Sequence, residues 1–477
     1  MAIEPLRSYQ EEDLPFFLVN PRSMILYEPR MGKTVIACNV MAHDNDCERI
    51  LIVCPKNAMG VWYDHIKEWF AYICPEFTLD IRLVRGKGSK ASFERNKVWT
   101  NPIRCAITVW IVTFGALDRD IEFLQLPSTI KSGLTFDTVI GDEIHRRLRN
   151  RKNKTTKYIK WLCRPQVCKR VHMLSGTMAG KGGPQDFWAV LNILNPGEFS
   201  SFWRYANQWC ETTNNGFGME IIGPKNLRMF HQNILDRYSR RRFRKDTKMP
   251  KIQRSLKKVE ATTEQLKIVH GLQTDSLAWI GDKLIVAATS LEAVLRKRQV
   301  LTCPKLLNPE LGYGAALEDL IEYLTDEDNE LSEDDKHIVI FSDFRKALPW
   351  FEHALKGAGF ENVWQLYGGM EFELQQERIN LFRKTKGIIL CSTQYAQAFS
   401  LVPATQCFHI GYAWDPNDNK QAEDRLVPQE GENPIDSYYY GYRGIDEGIA
   451  ESVSIKNKLI SLTIGSAASL NTGDSNA

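Results

Sequence analysis

Short apolar runs recur along the first half of the chain, and polar or turn-forming residues bound each of them. The runs are SMILYE, RILIVCP, CAITVWIVT, FDTVIGDE and RVHMLSGT, and helical patterns such as GVWYDHIKEWF separate them. Continuous apolar runs of this length are typical of strands that are buried on both faces. Since these strands alternate with helices, the pattern predicts a parallel sheet that helices cover on both sides.

The alternation stops at about residue 184 and returns later with KHIVIFSD, NVWQLYG, GIILCST and QCFHIGY. We therefore predict an α/β protein with two parallel-sheet lobes. The first lobe is expected over residues 1–255, with a helical insert at about 184–250 where aromatic and basic residues recur at helical spacing. A helical linking region over 256–325 and a second lobe over 326–464 follow, and the small polar residues 465–477 predict a disordered tail.

The composition is that of a globular protein and disfavours several classes of function. Of the 477 residues 43% are hydrophobic, but no run approaches the ~18 apolar residues that a membrane span needs, so no membrane partner is expected. The 11 cysteines include no C-x-x-C pair, which disfavours zinc ribbons and fits a reducing cytosol. Because the net charge is only +3, a polyanion would have to bind at local basic patches. Two such patches are present, RRLRNRKNK at 146–154 and RYSRRRFRK at 237–245.

The segment ILYEPRMGKTVIA, residues 25–37, has the pattern of a strand, a loop and the start of a helix. Gly32, Lys33 and Thr34 provide what a phosphate-binding loop needs, namely a close backbone approach, a cation and a hydroxyl that ligates Mg²⁺. The triplet alone is weak evidence. The apolar run before it and the helical pattern after it favour nucleotide binding.

The segment FDTVIGDEIH places Asp142 and Glu143 directly after another apolar run. Carboxylates at the carboxyl end of a strand point into the ligand crevice of an α/β sheet. One carboxylate can then hold Mg²⁺ while the next polarises an attacking water. The alternative is an ordinary acidic pair on the surface.

These motifs, together with others in the same order, resemble the Swi/Snf-type ATPases of helicase superfamily two, which are translocases on double-stranded DNA. The resemblance extends from residue 6 to about 456. In the first half it rests on LRSYQ, LIVCPKNAMGVWYDHIKEW, DEIH and LSGTMAGKGGPQDFWAVLNILNPGEF. In the second half it rests on IVIFSDFRKALPWFEHAL, ILCST, QAEDR and YRGIDEGIAE. The compact chain is most similar to a bacterial or bacteriophage form, which implies a cytoplasmic protein.

The resemblance implies two RecA-like lobes with the helical insertion of this family, and hydrolysis of ATP with Mg²⁺. The catalytic residues that it implies are Lys33, Asp142, Glu143 and Arg425. For ATP it implies Gln10, which would read adenine, and Gly32, Lys33, Thr34 and Gln421. For Mg²⁺ it implies Thr34 and Asp142.

The resemblance also implies that DNA, mainly double-stranded, crosses both lobes and is contacted mainly at its phosphates. The residues expected on this path are Thr113, Arg146, Ser175, Thr177, Arg241, Ser392 and Thr393. Arg146 and Arg241 belong to the two basic patches. The motifs identify no protein partner.

Several positions depart from the family pattern. Tyr27 and Arg30 stand where the family has a small residue and a glycine, and Met178 replaces a proline. Ala396 and Ala398 occur where glycines are usual. Pro428 occupies the position of a second arginine, three residues after Arg425.

An arginine finger is worth about 10³ to 10⁵ in rate, so Pro428 puts fast turnover in question. The leading hypothesis is an ATP-dependent DNA translocase or helicase that acts in replication, repair or recombination. A catalytically weak nucleotide-binding scaffold on DNA is one alternative. An RNA helicase is another, although LNILNPGEF speaks against it.

Overall fold

The structure of the chain, a computed structural model, describes residues 5–44, 46–86, 89–103, 105–126, 134–144, 147–148, 151–176, 183–244, 247, 250–274, 277–280, 283–286, 289–326, 337–396, 399–411, 413, 416–428 and 435–443. The chain forms two compact units. Among the described residues, those up to Arg244 belong to the first unit and those from Thr247 onward to the second.

The first unit is built on a parallel sheet. Its strands are β1 (Arg22–Tyr27), β2 (Arg49–Cys54), β3 (Leu79–Val84), β4 (Ile107–Thr113), β5 (Thr138–Gly141), β6 (Arg170–Leu174) and, after the hairpin described below, β9 (Ser239–Arg242). They lie in the order β3-β4-β2-β5-β6-β1-β9, and every pairing between these described strands is parallel. Strands β1, β2, β4 and β5 are buried along nearly their whole length, as their continuous apolar runs predict.

Helices cover this sheet. The three that matter for the site are α1 (Ser8–Val19), α2 (Lys33–Ala42) and α3 (Met59–Ile73). The other helical segments of the unit are Lys56–Ala58, Ser89–Thr100, Phe114–Leu124, Lys154–Leu162, Pro184–Phe187, Trp188–Leu194, Phe202–Trp209, Leu227–Phe230, His231–Leu235 and Asp236–Tyr238. Trp62, Ile66 and Trp69 of α3 are buried at a spacing of three to four residues, so one face of that helix packs on the sheet.

The predicted insert at about 184–250 is not purely helical. It contains an antiparallel hairpin of β7 (Cys210–Asn214) and β8 (Met219–Pro224), and its last strand, β9, joins the main sheet beside β1. The sequence Ser-Arg-Arg-Arg of β9 has no apolar run. An edge strand needs neither two buried faces nor an apolar run, and the hydrophobic pattern therefore misses it.

The second unit has its own parallel sheet. Its strands are β10 (Ile252–Val259), β13 (His337–Ser342), β14 (Val363–Leu366), β15 (Gly387–Ser392), β16 (Gln406–His409) and β17 (Ile435–Tyr442), in the order β10-β17-β16-β13-β15-β14. The hairpin strands β11 (Leu277–Ile280) and β12 (Lys283–Val286) pair with each other. The helical segments are Thr263–Thr274, Ser290–Thr302, Pro304–Leu306, Ala315–Thr325, Arg345–Ala347, Leu348–Gly357, Phe372–Lys384, Thr393–Tyr395 and Pro416–Glu423.

Two expected boundaries differ from this arrangement. The first unit ends at Asp246 rather than at residue 255, because β10 pairs with β17 and so belongs to the second sheet. The region 256–325, which the sequence predicts to be helical, contains the end of β10 and the β11–β12 hairpin as well as helices. The predicted α/β fold of two RecA-like parallel-sheet lobes is confirmed. The tail 465–477 lies outside the described residues. Among those residues, no helix has both the length and the apolar character to cross a membrane.

Candidate functional site

The site begins at the loop between β1 and α2, where three side chains of the α1 region donate hydrogen bonds to three successive loop carbonyls. The pairs are Arg7 Nη1 with Arg30 O at 3.4 Å, Tyr9 OH with Met31 O at 3.0 Å and Gln10 Nε2 with Gly32 O at 3.1 Å. In a trans peptide the C=O and the next N–H point in opposite directions. The N–H groups of Gly32 and Lys33 therefore face away from α1, as a phosphate-binding loop requires.

The backbone of this loop explains one departure from the family pattern. Gly32, the residue before α2, has φ +75°, and a Cβ atom there would lie 2.4 Å from Gln10 Nε2. Arg30 also adopts a left-handed conformation, with φ +66°. Arginine thus takes the backbone geometry that a glycine would take more easily, at a cost of about 1 kcal/mol. The loop keeps its shape without the glycine.

Tyr27, the other departure in this loop, is buried against α1, where its ring packs edge-on against that of Tyr9. Its buried hydroxyl donates to Asp13 Oδ2 of α1 at 2.6 Å, and Arg242 Nε of β9 donates to the same oxygen at 2.8 Å. Burial and the adjacent Asp13 carboxylate raise the pKa of Tyr27 above its ordinary value, so the hydroxyl stays a donor. The large side chain therefore joins α1, β1 and β9 and leaves the loop unobstructed.

Glu28 continues this connection to the end of β9. Its backbone N–H donates to Arg242 O at 3.0 Å, and its Oε2 accepts from the Arg244 N–H at 2.7 Å. The backbone and the side chain of Glu28 therefore both bond the loop to the segment that follows β9.

Lys33 lies at the centre of the site. Its Nζ donates to Tyr27 O at 3.2 Å and is 3.9 Å from Glu143 Oε1. Gly176, which follows β6, is beside it, because a Cβ at that position would be 3.2 Å from Lys33 Nζ. The structure thus brings together the loop lysine, the predicted acidic pair and the glycine after Ser175.

Asp142 follows β5 and is buried, with 6% of its surface exposed. Trp62 Nε1 of α3 donates to its Oδ2 at 2.9 Å. Burial and, next, the nearby Glu143 raise the pKa of Asp142 to about 6, although the Trp62 hydrogen bond and Lys33 lower it. Glu143 has φ +49°, a strained conformation of the kind that is common at functional sites.

The donor set fits a magnesium nucleotide. The N-terminus of α2 and Lys33 supply positive potential, Thr34 in the first helical turn supplies a hydroxyl, and Asp142 supplies a carboxylate oxygen. Hard oxygen ligands of this type suit Mg²⁺. The glycine at position 176 leaves space beside Lys33 Nζ that a side chain would fill.

The carboxyl edge of the first sheet also holds two residues predicted on the DNA path. Thr113 ends β4 and accepts a hydrogen bond from the Ala116 N–H at 3.1 Å, so it caps the next helix. Ser175 follows β6, is buried, and its N–H donates to Ile25 O at 3.1 Å. Arg146 and Thr177 lie outside the described residues.

Arg241 has a different setting from the predicted one. It is the third residue of β9, its guanidinium pairs with Asp236, and 11% of its side chain is exposed. Burial lowers the pKa of Arg241. Of its neighbours, Arg240 lies over the Phe16 ring at 3.5 Å and Arg242 bonds to Asp13. These arginines thus fasten the edge strand to the first unit.

The remaining predicted residues lie in the second unit. Ser392 ends β15, Thr393 follows it, and both are buried. Gln421 is buried in the helix Pro416–Glu423. Arg425 Nε donates to Ala396 O at 3.0 Å, and Arg425 O accepts from the Leu401 N–H at 2.8 Å. The proposed finger therefore also holds the segment in which alanines replace the family's glycines.

Sequence reasoning missed several contributors to this site. Arg7, Tyr9 and Trp62 occur within motifs that resemble the family, yet nothing in their spacing indicates what they contact. Tyr9 bonds to a residue 22 positions away and Trp62 to one 80 positions away. Gly176 lies inside the LSGT segment. Its proximity to Lys33 follows from the fold and could not be predicted from the sequence.

Known proteins share this arrangement of motifs. The family described as the SNF2-related domain matches residues 9–306. The DNA annealing helicase and endonuclease ZRANB3 of Homo sapiens is 24% identical over 434 residues, which are 88% of this chain and 36% of that protein. The ZRANB3 of Bos taurus is 23% identical over 432 residues, which are 88% of this chain and 37% of that protein. The chain thus spans little more than a third of the length of these relatives.

Among solved structures, the Sulfolobus solfataricus SWI2/SNF2 ATPase core in complex with dsDNA is 19% identical, with a TM-score of 0.41. That match covers 98% of this chain and 96% of the other. The resemblance to Swi/Snf-type ATPases that the motifs predict is confirmed by the family match. Because residues 9–306 are more than half of the 477 residues, this protein is a member of the SNF2-related family.

Proposed function

We propose that the protein is a nucleic-acid-dependent ATPase that uses ATP hydrolysis to move along DNA, mainly double-stranded DNA. The observation that supports this most is the cluster of Lys33, Asp142 and Glu143 at the N-terminus of α2, in a chain of the SNF2-related family. Lys33 lies 3.9 Å from Glu143 and lowers the pKa of the neighbouring Asp142. A surface acidic pair would not be buried beside the loop lysine.

Each residue has a role in this proposal. Gln10 positions adenine, and Gly32, Lys33 and Thr34 hold the phosphates. Thr34 and Asp142 would hold Mg²⁺, which when bound neutralises charge on the phosphate oxygens. Glu143 orients the attacking water, and Gln421 and Arg425 are supplied by the second unit.

DNA is proposed to contact the protein at its phosphates, so little sequence preference is expected. Thr113, Ser175, Thr177, Ser392 and Thr393 are the proposed contacts of the two units. Arg146 stays a predicted contact. The burial of Arg241 and its pairing with Asp236 give it a structural role in β9, and any DNA contact by Arg241 would be additional to that role.

A second candidate is a nucleotide-binding scaffold with little turnover. Pro428 stands where the family has a second arginine, and Arg425 Nε is engaged with Ala396 O. This bond restricts the reach of the Arg425 side chain, and position 428 offers no second arginine to stabilise the transition state.

The test is ATP hydrolysis by the purified protein with duplex DNA, single-stranded DNA, RNA or no polymer. We expect duplex DNA to stimulate hydrolysis most. Lys33→Ala should reduce the stimulated rate at least 100-fold, because the outer phosphates lose their cation. Lys97→Ala removes an exposed lysine of the same unit and should leave the rate unchanged.

Two outcomes would contradict the proposal. Normal ATP binding without hydrolysis on any polymer would favour the scaffold. Stronger stimulation by RNA than by duplex DNA would favour the RNA helicase.

A further inference from the structure

The β7–β8 hairpin presents an aromatic ring to solvent. Phe217, at its tip, is fully exposed, with a relative exposure of 101%. Large exposed apolar side chains are ordinary when scattered, but a phenylalanine held outward at the end of a hairpin exposes both ring faces. A Cβ atom at the flanking Gly216 or Gly218 would meet no described atom within 4 Å beyond the adjacent residues, so the backbone on either side of Phe217 is also open to solvent.

The tip has a defined conformation. Asn214 Oδ1 accepts from the Gly216 N–H and Asn215 Oδ1 accepts from the Phe217 N–H, each at 3.0 Å. The Asn215 N–H donates to Gly218 O at 3.1 Å, which closes the turn. Gly216 and Gly218 both have positive φ, at +85° and +154°. The backbone therefore orders Phe217 in an outward position before any partner arrives, which lowers the entropic cost of binding.

The base of the hairpin is anchored to the first unit. Cys210, where β7 begins, is buried, and its Sγ contacts Gln185 Oε1 at 3.5 Å. At the other end the Lys225 N–H donates to Trp209 O at 2.9 Å. Gln185 follows the segment Ser175 to Thr177, which is proposed to contact DNA. The hairpin thus extends from a part of the unit close in sequence to the proposed DNA path.

Charge and size both bear on what the tip binds. Residues 212–219 carry no charged side chain, and Glu220 on β8 accepts a hydrogen bond from Asn215 Nδ2 at 3.2 Å. Exposed cations, Lys225 and Arg228, follow the base of the hairpin. Besides Phe217 the hairpin exposes Met219 and Ile222, at 43% and 64%. A stable protein interface buries about 1,200 Å² or more, which three side chains on a narrow tip do not provide. A nucleobase needs only one ring for stacking.

We propose that Phe217 stacks on an unpaired or terminal base where duplex DNA opens into single strands, so that the hairpin gives the motor a preference for branched DNA. This rests on the proposed function. Within an intact duplex every base already stacks on its neighbours, whereas at a junction one base face is open. Phe217 thus contributes to binding at junctions and not to binding along the duplex.

The test compares binding of fluorescently labelled forked DNA, plain duplex and single strand, measured by anisotropy with the full chain. Phe217→Ala should weaken fork binding about tenfold and duplex binding less than twofold. Phe217→Trp should keep fork binding, because tryptophan also stacks. Ile222→Ala, which removes another exposed apolar side chain of the same hairpin, is the matched control and should bind all three DNAs as the wild type does.

A second readout reports stacking directly. A 2-aminopurine at the fork junction should be quenched by wild type and Phe217→Trp but not by Phe217→Ala. The inference would be overturned if wild type and Phe217→Ala bound forked DNA equally well, or if Phe217→Ala lost the same affinity for forked DNA and for duplex. A contact between Phe217 and another protein would then be the remaining role of the ring. These binding measurements need no ATP. A wild type without DNA-stimulated hydrolysis would therefore refute the proposed motor but not the stacking result.

Discussion

At the scale of single residues, the sequence indicates the candidate nucleotide-site residues but not the contacts that support them. Gly32, Lys33, Asp142 and Glu143 were predictable because phosphate and metal binding use fixed residue types in short motifs. Trp62 was not, since its hydrogen bond to Asp142 joins α3 to the end of β5 across 80 positions. Contacts of that kind follow from the packing of elements, which hydrophobic periodicity does not determine.

The burial of Asp142 leads to a prediction on stability. A carboxyl with a folded pKa of about 6 and an ordinary unfolded pKa near 3.9 binds its proton more tightly in the folded state. The ionised carboxylate therefore opposes folding above pH 6, and this cost disappears as the pH falls below 4. Asp142→Asn should raise the free energy of unfolding by about 2 kcal/mol at pH 7.5 without Mg²⁺, and by almost nothing at pH 4.

Urea unfolding at the two pH values in EDTA would measure this difference. Asp64→Asn, which changes an exposed carboxylate of α3, should have no effect at either pH. The same Asp142→Asn protein should fail to hydrolyse ATP. A variant less stable than the wild type at pH 7.5 would show that the carboxylate stabilises the fold instead.

At the scale of elements, strands with two buried faces were predictable and edge strands were not. Strands β1, β2, β4 and β5 are apolar throughout, so their sequence alone identifies them. Strands β9 and β10 lie at the edges of their sheets, and their sequences SRRR and IQRSLKKV are mostly polar. Ion pairs rather than apolar contacts hold β9 in place. They require a run of arginines, and such a run also has the pattern of a nucleic-acid-binding patch.

The ion pair between Arg242 and Asp13 should therefore be structural. Arg242 donates to Asp13 Oδ2 at 2.8 Å and to Oδ1 at 2.5 Å, and Asp13 is 1% exposed. Arg242→Leu leaves the buried Asp13 carboxylate with only the more distant Arg240, whose Nε is 3.9 Å from Asp13 Oδ1, and should lower the free energy of unfolding by about 3 kcal/mol. Adding Asp13→Asn should restore most of that loss.

Chemical denaturation of the single and double variants would measure the coupling between the two residues. Arg237→Leu is the matched control, because Arg237 is 59% exposed and pairs only at the surface with Glu198. Its effect should stay below about 1 kcal/mol. Additive losses in the double variant would mean that the two side chains act independently.

At the scale of the whole molecule, the chain has two units, each with its own sheet and buried apolar core. The number and type of lobes were predictable from the repeated strand–helix pattern. The boundary was not, because β10 follows the first unit closely in sequence but pairs with β17. Because β10 and β17 are more than 170 positions apart, no pattern in the sequence around β10 indicates that they pair.

Glu423 gives a test that is specific to the second unit. It is completely buried, and its carboxylate accepts from Arg254 of β10 at 2.6 Å and from Ser437 at 2.6 Å. Burial opposes ionisation, but Arg254 and the hydrogen bonds prevail and lower the pKa of Glu423. Its stabilising contribution is therefore present above pH 4.3 and is lost as the pH falls through the folded pKa.

Glu423→Gln should destabilise the protein by about 2 kcal/mol at pH 7, because the buried amide accepts weaker hydrogen bonds from Arg254 and Ser437 than the carboxylate does. The loss should shrink in acid, where the wild type loses the same charge. Calorimetry at pH 7 and at low pH would measure it, with Glu373→Gln, in the first turn of the helix Phe372–Lys384, as the control. A loss of equal size at both values would assign the effect to packing alone.

The two hydrogen bonds of Glu28 have a mechanical consequence. They join the candidate phosphate-binding loop to Arg242 and Arg244, close to where the described chain passes to the second unit at Thr247. Tension applied to the polypeptide there loads these two bonds together with the pairing of β9 and β1. In a single-molecule pulling experiment, load at this point should therefore shorten the dwell time of ATP long before the sheet itself gives way.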